Sequence, residues 1–216
     1  ILEMCPRARQ TLIFSATMPE SIQRIASRHQ KQPEFVALSS DNIAPSQITH
    51  QAYFSSEGSR ATDLVKIFEI ERPEGALIFC NTKAETDAVA KALQARGINA
   101  EALHGDMGQG DRERVLGALR SGAVTYLVAT DVAARGIDIP HLTHVFNIGF
   151  PEQAESYVHR TGRTGRAGRE GTAISLIGPR DIGNLYLLRL TYGIRPVERS
   201  LPSEREKRVV TFWMQR

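Results

Sequence analysis

Only two cysteines, one tryptophan and 6% aromatic residues occur in 216 positions. Cys5 and Cys80 are too few and too far apart to frame disulfides or a zinc site, so a reducing, cytoplasmic compartment is expected. Of the six histidines only His141 and His144 are close together, and no cysteine lies near them to complete a ligand set, so no metal site is expected. The sparse aromatics offer no stacking platform for bases; Phe212 and Trp213 read as packing residues. No apolar run approaches the ~18 residues a membrane span needs, and no signal peptide opens the chain. The formal charge of +3 is too small to argue for a nucleic-acid partner. Position 1 is not Met and the sequence starts in mid-pattern, as a piece of a longer protein does.

What is present is a globular composition, 41% hydrophobic and 24% charged, enough for one good core. Apolar runs rich in β-formers alternate with helical patterns. Strands are expected at 10–15 (QTLIFS), 34–38, 48–54, 76–80, 100–103, 125–129, 143–148 and 172–177. Helices are expected at 19–30, 59–69, 84–95, 109–119 and 154–159, with Gly97 as a left-handed cap. Residues 39–46 (SSDNIAPS) read as a linker. Strands that are continuous apolar runs, separated by helices, predict an α/β fold: a parallel sheet covered on both faces. Ligands gather at the carboxyl ends of such strands. That directs attention to Asn81–Thr82, His104–Asp106, the segment from Thr130 to Asp138, and Gly149–Pro151.

Positive charge is concentrated in one place. Residues 159–168 read H-R-T-G-R-T-G-R-A-G. Glycines at 162, 165 and 168 break a regular helix and let the backbone turn, so arginines at 160, 163 and 166 are expected to be aimed from a compact loop. A guanidinium fork matches phosphate oxygens in bidentate fashion. A disordered arginine–glycine segment that binds RNA loosely is disfavoured by the helix before the run and the strand after it, while a solvated basic loop stays open when the run is taken alone. A second cluster, 128–140 (VATDVAARGIDIP), follows a strand; its small residues permit close backbone approach, and its carboxylates can accept from ribose hydroxyls. In isolation Arg135 and Asp138 read as a local ion pair. His104 suggests an orienting role, and Cys80 an inert buried thiol.

Together these elements resemble a family. Ser15-Ala16-Thr17, Phe79 to Thr82, Gln109-x-x-Arg112, the 130–140 loop and the 159–168 run have the order and spacing of a DEAD-box RNA helicase. His159 opens its run where the related DEAH-type helicases typically carry Gln. The resemblance implies a RecA-like C-terminal domain at 47–200. Ahead of it would lie the tail of a first RecA-like domain at 1–40 and a linker at 41–46, and behind it a C-terminal extension at 201–216. It implies that Arg163 and Arg166 are catalytic arginine fingers and that Gly136 and Asp138 bind nucleotide. Ser15, Thr17, Asp131 and His159 would couple hydrolysis to RNA. Thr82, Gly105, Gln109, Arg112 and Thr130 would hold the RNA backbone.

The cofactor implied is ATP with magnesium, the metal held mainly by the missing N-terminal RecA-like domain. No G-x-x-x-x-G-K-[ST] loop and no Asp-Glu-Ala-Asp occurs here, so this segment alone is expected to lack ATPase activity. The partners implied are RNA and that first domain, with no membrane. The apolar residues of 1–38 are expected to be displaced, to pack on a neighbour or to swap. Ser203 and Glu206 resemble a helix-opening capping box before Val209, Val210, Phe212, Trp213 and Met214. That helix either leads into a dimerisation region or docks on the core. Rival readings are a DNA motor of the same superfamily and a non-catalytic RNA-binding module.

Overall fold

The structure, a computed structural model, describes residues 4–6, 8–15, 18, 20–36, 47–135, 137, 142–166 and 168–203. The chain divides into two compact units, Ile1–Ile43 and Ala44–Arg216. In the first, helix α1 (Glu20–His29) has an acid in its opening turn and Arg28 and His29 in its last, the charge order the helix dipole favours. Residues 10–15, expected as a strand, are irregular, with Leu12 and Phe14 exposed. A strand exists only through its ladder, and no strand among the described residues pairs with this run. Residues 34–36 are irregular for the same reason, while 37 and 38 lie outside the described residues.

The second unit alternates strand and helix. Its strands are β1 (Ile48–Phe54), β2 (Ala76–Cys80), β3 (Ala100–Leu103), β4 (Tyr126–Ala129), β5 (His144–Ile148), β6 (Gly171–Ile177) and β7 (Val197–Arg199). Between them run α2 (Arg60–Glu71), α3 (Lys83–Gln94), α4 (Gln109–Arg120), α5 (Asp131–Ala134), α6 (Ala154–Thr161) and α7 (Ile182–Tyr192). All pairings are parallel, and the seven-stranded sheet has the order β3-β4-β2-β5-β6-β1-β7. Every residue of β2 (ALIFC) is buried, as a central strand with both faces covered requires.

Period-two alternation sorts the core. Ile78, Cys80, Phe146 and Ile174 point to one face, where they meet Leu64 and Phe68 of α2 and Val89 and Leu93 of α3. Leu77, Phe79, Leu127 and Val145 point to the other, against Val115 of α4 and Ala133 and Ala134 of α5. Further along that second face, Ala52 and Ile177 meet Tyr157 of α6 and Leu188 of α7. Helices α5 and α6 therefore lie on the same side of the sheet. Helix α3 opens with the Thr82 hydroxyl accepting from the Glu85 N–H at 3.1 Å. Its end is followed by Gly97 at φ +74, the left-handed position expected from sequence.

Three elements were not expected: the single turn α5, helix α7 and the edge strand β7. Helix α7 is apolar on both sides, burying Leu188 while exposing Ile182, Tyr186, Leu187 and Leu190. The capping box and apolar run after Ser203 lie outside the described residues.

Candidate functional site

In register, Phe79 aligns with Ala129, Leu103 with Ala129, and Cys80 with Ile148. Those pairings bring Thr82, Gly105 and Thr130 to one carboxyl edge of the sheet. Thr82 is exposed there; its oxygen caps α3, and its hydroxyl hydrogen remains to donate outward. Gly105 is exposed between the strand end and the Lys83–Asp106 ion pair. Gln109 opens α4, exposed, and donates to Glu113 at 2.7 Å. Arg112, one turn on, donates one guanidinium N–H to the Ala133 carbonyl at 2.9 Å, which fixes α5 against α4. Beside this edge the His104 ring bonds Asp87 on α3 at 3.1 Å. Burial, first, and the nearby Glu85 charge push the Cys80 thiol far above its ordinary range, so it is inert at neutral pH.

Behind the edge lies a buried cross-link. Arg160, in the last turn of α6, is only 2% exposed. Its Nε and one terminal nitrogen grip the two Asp131 oxygens at 2.8 and 2.6 Å. The same terminal nitrogen donates to Asn81 at 2.9 Å, and the other reaches Asn147 at 3.4 Å. The guanidinium also lies over the Phe79 ring, 5.2 Å from its centroid. Asn147 in turn donates to Ser175 at 3.2 Å, Ser175 bonds Tyr157, and the Tyr157 hydroxyl meets His50 Nδ1 at 2.9 Å. A buried polar chain thus runs from Asp131 on the carboxyl edge to β1. Burial pushes the His50 imidazole down to about 4, which keeps it neutral.

The glycine-punctuated turn that follows α6 is anchored at the amino ends of three strands. The Thr164 hydroxyl donates to the Leu142 carbonyl at 2.6 Å, with the Thr143 carbonyl at 3.1 Å, just ahead of β5. Gly171 N–H, opening β6, donates to the Gln47 carbonyl ahead of β1 at 2.9 Å. The packing leaves no room: Gly165 sits at φ +65, and a Cβ there would lie 2.6 Å from Ile48 Cγ1. From this platform project Arg163, half-buried, and Arg166, exposed. Among the described residues neither is in an ion pair; Arg166 Nε donates to the Gly162 carbonyl at 2.7 Å. Burial, and next the Arg166 charge, make the Arg163 guanidinium less basic than usual. Two neighbouring cations with no carboxylate paired to them among the described residues make a patch of unbalanced positive charge, suited to an anion. Leu142, whose carbonyl Thr164 holds, lies just ahead of β5. The turn that carries Arg163 and Arg166 follows directly on Arg160, whose bonds to Asp131 tie it to the Thr130 corner.

Residues 59–168 match the family described as the helicase conserved C-terminal domain. The chain is 45% identical over 202 residues to the DEAD-box ATP-dependent RNA helicase CshA of Geobacillus kaustophilus, covering 94% of this chain and 43% of that protein. It is 44% identical over 191 residues to the Bacillus subtilis CshA, covering 88% and 39%.

This chain belongs to the DEAD-box helicase family, and its residues 59–168 are the conserved C-terminal helicase domain.

Among solved structures, yeast Dbp5 bound to RNA and ADP BeF3 aligns with a TM-score of 0.80 at 26% identity, over 97% of this chain and 56% of that one. Escherichia coli SrmB bound to the regulator of ribonuclease activity RraA aligns at 0.64 and 37%, over 73% and 93%. The sheet is the RecA-like fold of these helicase domains. The chain spans less than half the length of the CshA relatives named above.

The structure gathers Thr82, Gly105, Gln109, Arg112, Thr130 and Asp131 at or beside one edge of the helicase domain, with Arg163 and Arg166 on the turn tied to it. His159 is exposed at the end of α6, one residue before the cross-link. Ser15 is exposed in the first unit, whereas Thr17, Gly136 and Asp138 lie outside the described residues. One expectation changes. Arg160 is not aimed from a loop but closes a helix and is buried, because α6 continues through Thr161 before the glycines take effect. The sequence marks Asn81 at a strand end but assigns it no role, and it does not single out Asn147 and Tyr157. Those two carry no sequence signal, since only register buries them together.

Proposed function

We propose that this domain is the C-terminal half of an ATP-dependent RNA helicase, supplying arginine fingers for ATP hydrolysis and half of an RNA-backbone surface. The observation that carries the reading is the Arg163–Arg166 pair: two adjacent guanidiniums without an acidic partner among the described residues, on a turn packed too tightly to collapse. Such groups, already oriented and partly desolvated, stabilise charge that develops on a transferring phosphoryl group without reorganising. In comparable nucleotide hydrolases fingers of this kind are worth roughly 10³–10⁵ in rate. Thr82 and Thr130 offer hydroxyls, and Gly105 and the amino end of α4 offer backbone N–H groups, to sugar and phosphate oxygens. That chemistry reads shape and 2′-hydroxyls rather than base sequence.

ATP supplies the scissile phosphoanhydride. The phosphate-binding loop and the Asp-Glu-Ala-Asp carboxylates would come from a first RecA-like lobe, whose final segment is 1–40, joined by 41–46 to the domain at 47–200. Magnesium would be held mainly by that first lobe. Gly136 and Asp138 are proposed to meet the nucleotide, and Ser15, Thr17, Asp131 and His159 to transmit RNA binding to it. Without its first lobe the segment is inactive as an ATPase, and the whole protein works in the cytoplasm. A dimer through 1–40 or 201–216 is the assembly to test by light scattering.

The deciding experiment is ATP turnover by the full-length protein with and without single-stranded RNA. RNA should stimulate the wild type, and Arg163→Ala should lose about 10³-fold in kcat. Unchanged turnover in Arg163→Ala, or stimulation by DNA equal to that by RNA, would overturn the reading.

A further inference from the structure

Three arginines recur at intervals of three in the 159–168 run, yet one of them has no access to a ligand. We propose that Arg160 is a positioning residue for the RNA side of the site. It sets the spacing of the two corners that present Thr82 and Thr130, with Asn147 fixing its guanidinium from behind. This rests on the reading above, in which those threonines hold the RNA backbone.

The geometry makes the case. One terminal nitrogen of Arg160 touches both Asn81, at 2.9 Å, and Asp131, at 2.6 Å. Each is the immediate neighbour of a proposed RNA contact, Thr82 or Thr130. Strands β2 and β4 are adjacent, so their side-chain tips could otherwise splay independently once the ladder ends. A planar fork that bonds both corners at once removes that freedom, as a single ammonium on a flexible stem cannot. The fork is itself held in plane by Asn147 at 3.4 Å on one side and the Phe79 ring on the other. Asn147 is fully buried within a central strand, and a side-chain amide there is costly unless hydrogen-bonded. Its oxygen faces Arg160 and its NH₂ faces Ser175, so both ends are used. At 2% exposure the guanidinium spends four of its five N–H groups on Asp131, Asn81 and Asn147, all within the domain.

Arg160 should therefore act on RNA affinity and not on the phosphoryl step, the reverse of Arg163 three residues later. The test is steady-state ATPase and fluorescence anisotropy of the full-length protein with a labelled uridine homopolymer, comparing Arg160→Lys, Asn81→Ala and Arg163→Ala. For Arg160→Lys and Asn81→Ala the half-saturating RNA concentration should rise about tenfold, as expected for losing one charge-assisted bond. Half-saturating ATP and kcat at saturating RNA should stay within about twofold. Asn147→Ser, which withdraws only the bond behind the guanidinium, should show the same split on a smaller scale. A fall in kcat with unchanged RNA affinity would assign Arg160 to the phosphates and overturn the proposal, as would no change in any parameter. If Arg160→Lys unfolds, the split is read on Asn81→Ala and Asn147→Ser, whose melting temperatures are checked first; parallel losses in both parameters at native stability also overturn it. Should Arg163→Ala retain wild-type kcat, the finger assignment fails, while the anisotropy readout for Arg160 still stands or falls on its own.

Discussion

Arg160 and Arg163 are one helical turn apart in sequence and belong to different regions of the molecule. The first closes α6, buried among Asp131, Asn81 and Asn147, where every contact is internal. The second stands on the turn after the helix, beside Arg166, with no carboxylate among the described residues to balance it. Identical side chains thus sit in opposite settings: one is paired and desolvated inside the scaffold, and the other is half-buried, unpaired among the described residues and proposed to meet a ligand. The boundary between them is Gly162, where the helix ends and the backbone becomes free to turn.

The largest effect expected from breaking this contrast is on rate. Replacing both arginines of the turn, Arg163→Ala with Arg166→Ala, should reduce RNA-stimulated turnover by about 10³–10⁵. Thermal stability, followed by circular dichroism, should stay or rise, because two repelling charges are removed. Next comes the buried pair. Asp131→Ala leaves the Arg160 charge enclosed without its carboxylate and should cost about 2–4 kcal/mol in urea denaturation, less than a fully buried pair because the Asp131 side chain is 39% exposed. Adding Arg160→Met to it should restore part of that stability rather than double the loss.

A smaller effect is expected at the turn's anchor. Gly165→Ala meets both the left-handed backbone and Ile48, and should cost about 1–3 kcal/mol while lowering kcat through misplaced arginines. The smallest concerns pH. His50 titrates near 4 when folded and near 6.5 when unfolded, so the unfolded chain binds the extra proton between those values. Stability due to this group is present above about 6.5 and is lost as pH falls toward 4. His50→Gln, which can still bond Tyr157, should flatten the decline of the melting temperature across that window.

Much of the fold could be read in advance, for reasons visible at particular residues. The run ALIFC gave β2 its observed bounds because a central parallel strand is apolar on both faces; the edge strand β3 (AEAL) was bounded by the buried Ala100 and Leu103 at its two ends. Helix ends were off by a residue or two, as at α3, whose first residue is Lys83 because Thr82 caps it. The run QTLIFS misled because propensity cannot supply a ladder partner. Helix α7 escaped because apolar residues on both its sides blur the helical period, and β7 because three exposed residues carry no alternation. At the site, the strand-end rule located Thr82, Gly105 and Thr130. It could not separate Arg160 from Arg163, since the difference between them is burial, set by where α6 stops. Asn147 and Tyr157 were silent for a related reason: a polar residue in an apolar strand or helix announces a partner only once the sheet register is known.

The central claim is that neighbouring arginines divide positioning from catalysis. It is tested most directly by a crystal structure of the full-length protein with single-stranded RNA and an ATP transition-state analogue. The account predicts the Arg163 guanidinium within hydrogen-bond distance of the terminal phosphate mimic, with Arg160 still bidentate on Asp131. Arg160 released from Asp131 and turned to the nucleotide, or Arg163 facing solvent in the closed complex, would contradict it.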